Sequence, residues 1–142
     1  MTAQLLRVSG DEAYSLVYAE HLAQLDAAEQ MTLHLFMMNS LWVWIGKADN
    51  AVLCFMGLMP LTIFSGQAYL WLRTTPAMQE HVFMFVRHSQ RLVAEMLQEF
   101  PLIIGHCEVS ATQSIRWLRW LGAEFGAPEG QLVPFQIRAK HG

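Results

Sequence analysis

The chain has 142 residues, 54% of them hydrophobic and 15% charged, with 9 Lys and Arg against 12 Asp and Glu and a formal net charge of −3. This length suits one ordinary domain over 1–142, and the apolar content excludes a disordered polymer. A general nucleic-acid binder needs surplus cations to displace counterions, and none is present.

Two cysteines, Cys54 and Cys107, cannot form a secreted disulfide framework; both lie in apolar runs and read as reduced thiols of a reducing compartment. The longest apolar run, 51–64, is broken by Gly57 and Pro60 and falls short of the roughly 20 residues of a membrane span. Residues 1–16 lack the apolar block of a signal peptide, so a soluble protein is expected.

In chain order, 4–8 alternates as a first strand, and Ser9 or Asp11 is placed to cap the next helix. Leu16, Ala19, Leu22 and Ala23, then Met31, Leu35 and Met38, recur at helical spacing, predicting two short helices within 11–38, joined near Leu25 and Asp26. Strands at 41–47 and 51–59 flank the turn 48–50, and a turn at 65–67 leads to a strand at 68–74. Thr75 is placed to cap, and Pro76 to open, a long helix with Val82, Val86, Val93, Met96, Leu97 and Phe100 inward; Arg87, Arg91, Glu95 and Gln98 face water, and Pro101 ends it. A central strand at 102–109 comes after it. Ser110 and Gln113 form a capping box for a helix at 111–121 that stops at Gly122. Residues 124–130 are a loop or short strand. The strand 132–139 contains Pro134, which favours an edge or a bulge. The result is an α+β domain: a mixed, mostly antiparallel sheet of six to seven strands flanked by about four helices.

This order resembles the GCN5-related N-acetyltransferase (GNAT) fold, with its sharpest match in CEVSATQSIRWLRWLGAEF at 107–125. More narrowly, 114–125 together with GQLVPFQI at 130–137 resembles the acetyltransferase-like internal virion proteins of short-tailed phages, as do LDAAE at 25–29 and LWLRTT at 70–75. The resemblance implies an acyl-CoA architecture, with acetyl-CoA or coenzyme A along the strand 70–74 and the turn RTTPAMQE at 73–80. Leu72, Arg73, Thr74 and Gln79 are then the cofactor-binding candidates. That turn has no glycine, Pro76 removes an N–H donor, and Glu80 adds negative charge where a pyrophosphate settles.

The family's asparagine after strand five aligns with Ala111, and its tyrosine acid on the last helix with Leu118; neither can orient or donate a proton. As substitutes, Glu108 could act as base through a water, tuned by His106 on the same strand face, while strand-end hydrogen bonding is the plainer role for both. Asp26 and Glu29 occupy the region where the family's first helices line the acceptor site, with solvated helix charge as the plainer alternative. Cys107 reads as a small hydrophobe rather than a nucleophile. His81 and His88 match no compact ligand set, so no metal is expected.

Trp42, Trp44 and Trp71 read as filling between sheet and helices, while Trp117 and Trp120 cannot both face inward from one short helix. One of them is expected at an apolar edge that contacts a protein partner or a second copy. Two functions are open on these grounds. One is an acyl-CoA-dependent N-acetyltransferase. The other, which the sequence favours, is a catalytically degenerate phage protein of the virion or host cytoplasm, acting through protein contacts.

Overall fold

The computed structural model describes residues 3–17, 25–61 and 65–139. Its elements run β1 (Ala3–Val8), α1 (Gly10–Val17), α2 (Ala27–Asn39), β2 (Trp42–Ala48), β3 (Ala51–Pro60), β4 (Gln67–Thr74), a 3-10 turn (Pro76–Glu80), α3 (Val82–Glu99), β5 (Leu102–Glu108), α4 (Thr112–Trp120), β6 (Glu124–Phe125) and β7 (Leu132–Arg138). The seven strands form one sheet in the order β1-β2-β3-β4-β5-β7-β6. The α+β class, mostly antiparallel sheet and four helices agree with the sequence reading. By contacts the chain gathers into two compact units: Met1–Met59 with Trp71–Phe85, and Pro60–Leu70 with Val86–Gly142.

In the first unit, β2 pairs antiparallel with β1 and β3, and a bulge at Gly46/Lys47 shifts the register. Both β2 and β3 are buried along most of their length, so they read as continuous apolar runs rather than alternating ones. Asp49 takes φ 55° in the tight β2–β3 turn, a conformation that Asp tolerates better than most residues. Ser9 resolves the first cap: its hydroxyl accepts from Glu12 N at 3.1 Å and meets the Glu12 carboxylate at 3.3 Å. The hydroxyl thus caps the helix by accepting from Glu12 N while donating to the Glu12 carboxylate. Asp26 caps α2, accepting from Glu29 N at 2.8 Å.

The inward stripe of α2 differs from the expected one. Leu33 and Met37 are buried, whereas Met31, Leu35 and Met38 stand 58%, 50% and 47% exposed. The helix is apolar on both sides (AAEQMTLHLFMMN), so periodicity could not say which stripe meets the core. The earlier apolar positions Leu16, Ala19, Leu22 and Ala23 lie outside the described side chains.

In the second unit, β5 lies between a parallel partner, β4, and an antiparallel one, β7. The inner face of α3 carries Leu92, Val93, Met96 and the fully buried Ser89, while Arg87, Arg91, Glu95 and Gln98 are exposed as expected. Ser110 does not cap α4. Ala111 is the N-cap and makes no side-chain cap bond, because the chain turns once more after β5 before the helix starts. At the other end Gly122 takes φ 97°, its N–H donates to Arg119 O, and Ala123 N donates to Leu118 O. This is the glycine-terminated stop expected from the sequence.

Pro134 is not on an edge strand, since β7 has β5 on one side and β6 on the other. Its carbonyl accepts from Gly126 N at 2.9 Å, so its missing N–H also faces the β6 side. There the two-residue β6 has already ended, and the ladder loses nothing.

Candidate active site

The turn after β4 is where the sequence placed a cofactor. Leu72, Arg73 and Thr74 are the last three residues of β4, with Leu72 half-buried and Arg73 and Thr74 exposed. Thr75 was expected to cap a helix. Instead it is buried, and its hydroxyl donates to Val52 O at 2.6 Å and also contacts Leu53 O at 3.2 Å.

Pro76 does not open the long helix either. It opens a 3-10 turn containing Gln79, and α3 begins only at Val82. The cause is local: with the Thr75 side chain tied back to β3, no cap exists to launch an α-helix at Pro76.

This geometry settles the fate of the amides. Thr75 N donates to Leu53 O, Met78 N to Thr75 O and His81 N to Met78 O, all at 2.8–3.0 Å. Pro76 has no N–H, and within the 3-10 turn the amides of Gln79 and Glu80 are directed at the carbonyls three residues back, whereas Ala77 N precedes the first such bond. A pyrophosphate needs several converging amides, and the amides of Thr75, Met78 and His81 in this turn are already engaged. The first-turn N–H groups of α3, from Val82 onward, lack acceptors within the helix, but they come after the turn rather than lie in it.

Arg73, the one cation of the turn, already has a partner. Its guanidinium sits 3.8 Å from the Glu29 carboxylate, both side chains about half exposed. The structure thus joins a residue expected to bind the cofactor with one expected to take part in catalysis, and Asp26 caps α2. At this exposure the pair adds little stability.

On β5, His106 and Glu108 are both exposed and on one side, with Cys107 half-buried on the other. Sequence reasoning missed His106's neighbour: the Tyr69 hydroxyl lies 3.1 Å from His106 Nδ1. The pairing of β4 with β5 at Gln67–Tyr69 and Leu102–Ile104 brings these strands side by side. The signal was a tyrosine on one parallel strand and a histidine on the next, which only register could connect. Burial raises the Tyr69 pKa above its usual 10.0, so the phenol stays protonated at neutral pH.

Burial pushes the Cys54 thiol up to about 12 and raises that of Cys107. Both are therefore protonated and poor nucleophiles near neutrality, as the sequence reading held for Cys107. Leu118 is buried and apolar, and Ala111 ends in a methyl group. Among the described residues no cluster of His, Cys, Asp or Glu could hold a metal ion. No helix among them is long and apolar enough to cross a membrane.

Trp117 and Trp120 separate cleanly. Trp117 is buried, and its indole N–H donates to Ser89 Oγ at 2.9 Å. Trp120 is 53% exposed and borders a groove of about 690 Å³ with Val93, Ala94, Leu97 and Leu121.

The order of elements, the sheet topology and the position of this turn are those of the GCN5-related N-acetyltransferase fold. Solved structures agree on the fold across nearly the full chain. An IAA acetyltransferase from Bacillus cereus superposes with a TM-score of 0.69 at 7% identity, covering 97% of this chain and 100% of that one. An N-acetyltransferase from Staphylococcus aureus gives 0.69 at 10% identity, with 97% and 99% covered. The protein yncA from Salmonella typhimurium, solved with its cofactor acetyl-CoA, gives 0.62 at 13%, with 100% and 97% covered. No family model matches the chain, and no curated protein matches it by sequence.

Proposed function

We propose that this chain is a GNAT-fold protein without acyl-transfer activity that acts through protein contacts, as a phage-encoded assembly or virion-associated protein in the host cytoplasm or the particle. The observation that carries this reading is the turn 74–81, in which the amides of Thr75, Met78 and His81 are engaged internally and Pro76 has none. The ion pair that holds Arg73 and the apolar residues at positions 111 and 118 point the same way. The phage link rests on the likeness of 114–125 and 130–137 to internal virion proteins. The exposed Trp120 beside its apolar groove supplies a surface of the kind that partners use.

A second reading, an acyl-CoA-dependent N-acetyltransferase, is favoured by the Tyr69–His106 contact with Glu108 two residues further along the same face. That set could relay a proton through water, and acetyl-CoA is the printed cofactor of one structural neighbour.

Release of coenzyme A from acetyl-CoA, resolved by chromatography over a panel of amine acceptors, separates the two. The expected rate equals that of buffer with acceptor. Amine-dependent release that disappears in His106→Ala would transfer the function to the second reading.

A further inference from the structure

We propose that the groove between α3 and α4 is a docking site for an acidic, amphipathic segment of a partner protein, which sets apolar side chains against Trp120 and carboxylates against Arg87, Arg91 and Arg116. This deepens the protein-contact function and rests on it, since it names the chemistry of the partner.

The groove is placed by one buried contact. Trp117 of α4 donates to Ser89 of α3, and one turn further along α4 Trp120 borders the groove with Val93, Ala94, Leu97 and Leu121. The two helices therefore advance in the same direction along it. Arg116 comes four residues before Trp120, on the same side of α4. Arg87 comes three residues before Gln90, and Arg91 three before Ala94, so each neighbours a residue that lines the groove. All three arginines are rim residues, with Arg87 and Arg116 toward the end where Trp117 meets Ser89.

These cations are free to meet a ligand. All three are exposed, and among the described residues none of the three guanidiniums is in an ion pair. Helix α4 contains no acidic residue. On α3, Glu95 and Glu99 fall on the side opposite the Gln90–Leu97 stripe, as 3.6 residues per turn requires. Glu124 borders the groove at the β6 end, together with Arg138.

Charge complementarity selects the occupant. The chain as a whole carries −3, so three unpaired arginines beside one groove reverse the sign locally, and a carboxylate is the side chain that neutralises them. Nucleic acid would also bring negative charge. It brings no aliphatic side chains, however, and a floor of Val93, Leu97 and Leu121 accepts those. Tryptophan and arginine are, in addition, the residue types that most often carry the binding energy of protein interfaces.

The test is fluorescence anisotropy of a labelled helical peptide, with leucines on one face and glutamates on the other, titrated with the full chain. Saturable binding is expected. Trp120→Ala should weaken it on the order of thirtyfold, and Arg87→Ala combined with Arg116→Ala on the order of tenfold. All three positions are exposed, so these variants keep the fold. Arg119→Ala serves as the control, because that guanidinium already sits over the Phe125 ring at 5.5 Å, and binding should be nearly unchanged.

Equal affinity for the peptide with lysine in place of glutamate, or serine in place of leucine, would contradict the charged or the apolar half of the proposal. An oligothymidine that binds as tightly, at the same residues, would assign the groove to nucleic acid and overturn it. So would the lack of saturable binding up to millimolar peptide. Amine-dependent release of coenzyme A would count against the protein-contact function without altering these affinities, so the two failures are distinguishable.

Discussion

Replacing Trp71 with alanine should destabilise the fold by about 3–5 kcal/mol, the range for removing a large buried aromatic. Trp71 is 5% exposed, with Phe36 at 5.9 Å and Phe55 at 6.4 Å between ring centroids. Its indole N–H donates to Ser40 Oγ at 2.8 Å, and that hydroxyl in turn donates to Phe36 O at 2.6 Å, closing the end of α2. A side chain at Gly57 would meet the indole ring at 2.4–2.5 Å, so the strand is shaped to receive it. Urea unfolding monitored by circular dichroism measures the loss. Trp71→Phe, which keeps most of the ring but drops the N–H, should cost about half as much. Equal costs for the two variants would show that the Ser40 hydrogen bond, not packing, dominates.

Trp117→Ala should cost a similar 3–5 kcal/mol, and it should do so by unfolding rather than by dissociating a complex. The ring is buried, and its N–H donates to a serine that is itself fully buried, so truncation leaves a cavity and removes the hydrogen bond that the Ser89 hydroxyl accepts, while its donation to Val86 O remains. Trp120→Ala, at 53% exposure, should change stability by less than about 0.5 kcal/mol. Chemical denaturation of the two variants side by side checks this. A Trp120 variant as unstable as the Trp117 one would contradict the assignment of inward and outward tryptophans.

The fold was largely legible in the sequence, because it is written in turn chemistry and strand spacing. Gly122 stops α4, Pro101 comes two residues after the end of α3, and Asp49 and Asn50 close the β2–β3 hairpin, each through a conformational preference that context did not override. The failures share a cause. Thr75 is a good helix cap in isolation, but its hydroxyl found backbone acceptors on a strand 22–23 residues earlier, and the helix start moved from Pro76 to Val82. Ser110 lost its capping role when an extra turn intervened before α4. The inward face of α2 could not be read, since both faces are apolar and only packing chooses.

At the candidate site, absences were easier to read than partnerships. The glycine-free turn and the apolar residues at positions 111 and 118 need no coordinates. That Arg73 meets Glu29, and that Tyr69 meets His106, are long-range pairings fixed by the sheet and by where α2 lies, and no local spacing encodes them. Exposed charges such as Glu29 and Glu108 look alike in a sequence whether they catalyse, cap or simply stay wet.

Isothermal titration of the chain with acetyl-CoA addresses the central point most directly, because the proposed function rests on a turn in which the amides of Thr75, Met78 and His81 are already engaged. No heat of binding is expected up to millimolar ligand, with wild type and Arg73→Ala indistinguishable. Saturable micromolar binding, weakened by Arg73→Ala, would contradict it.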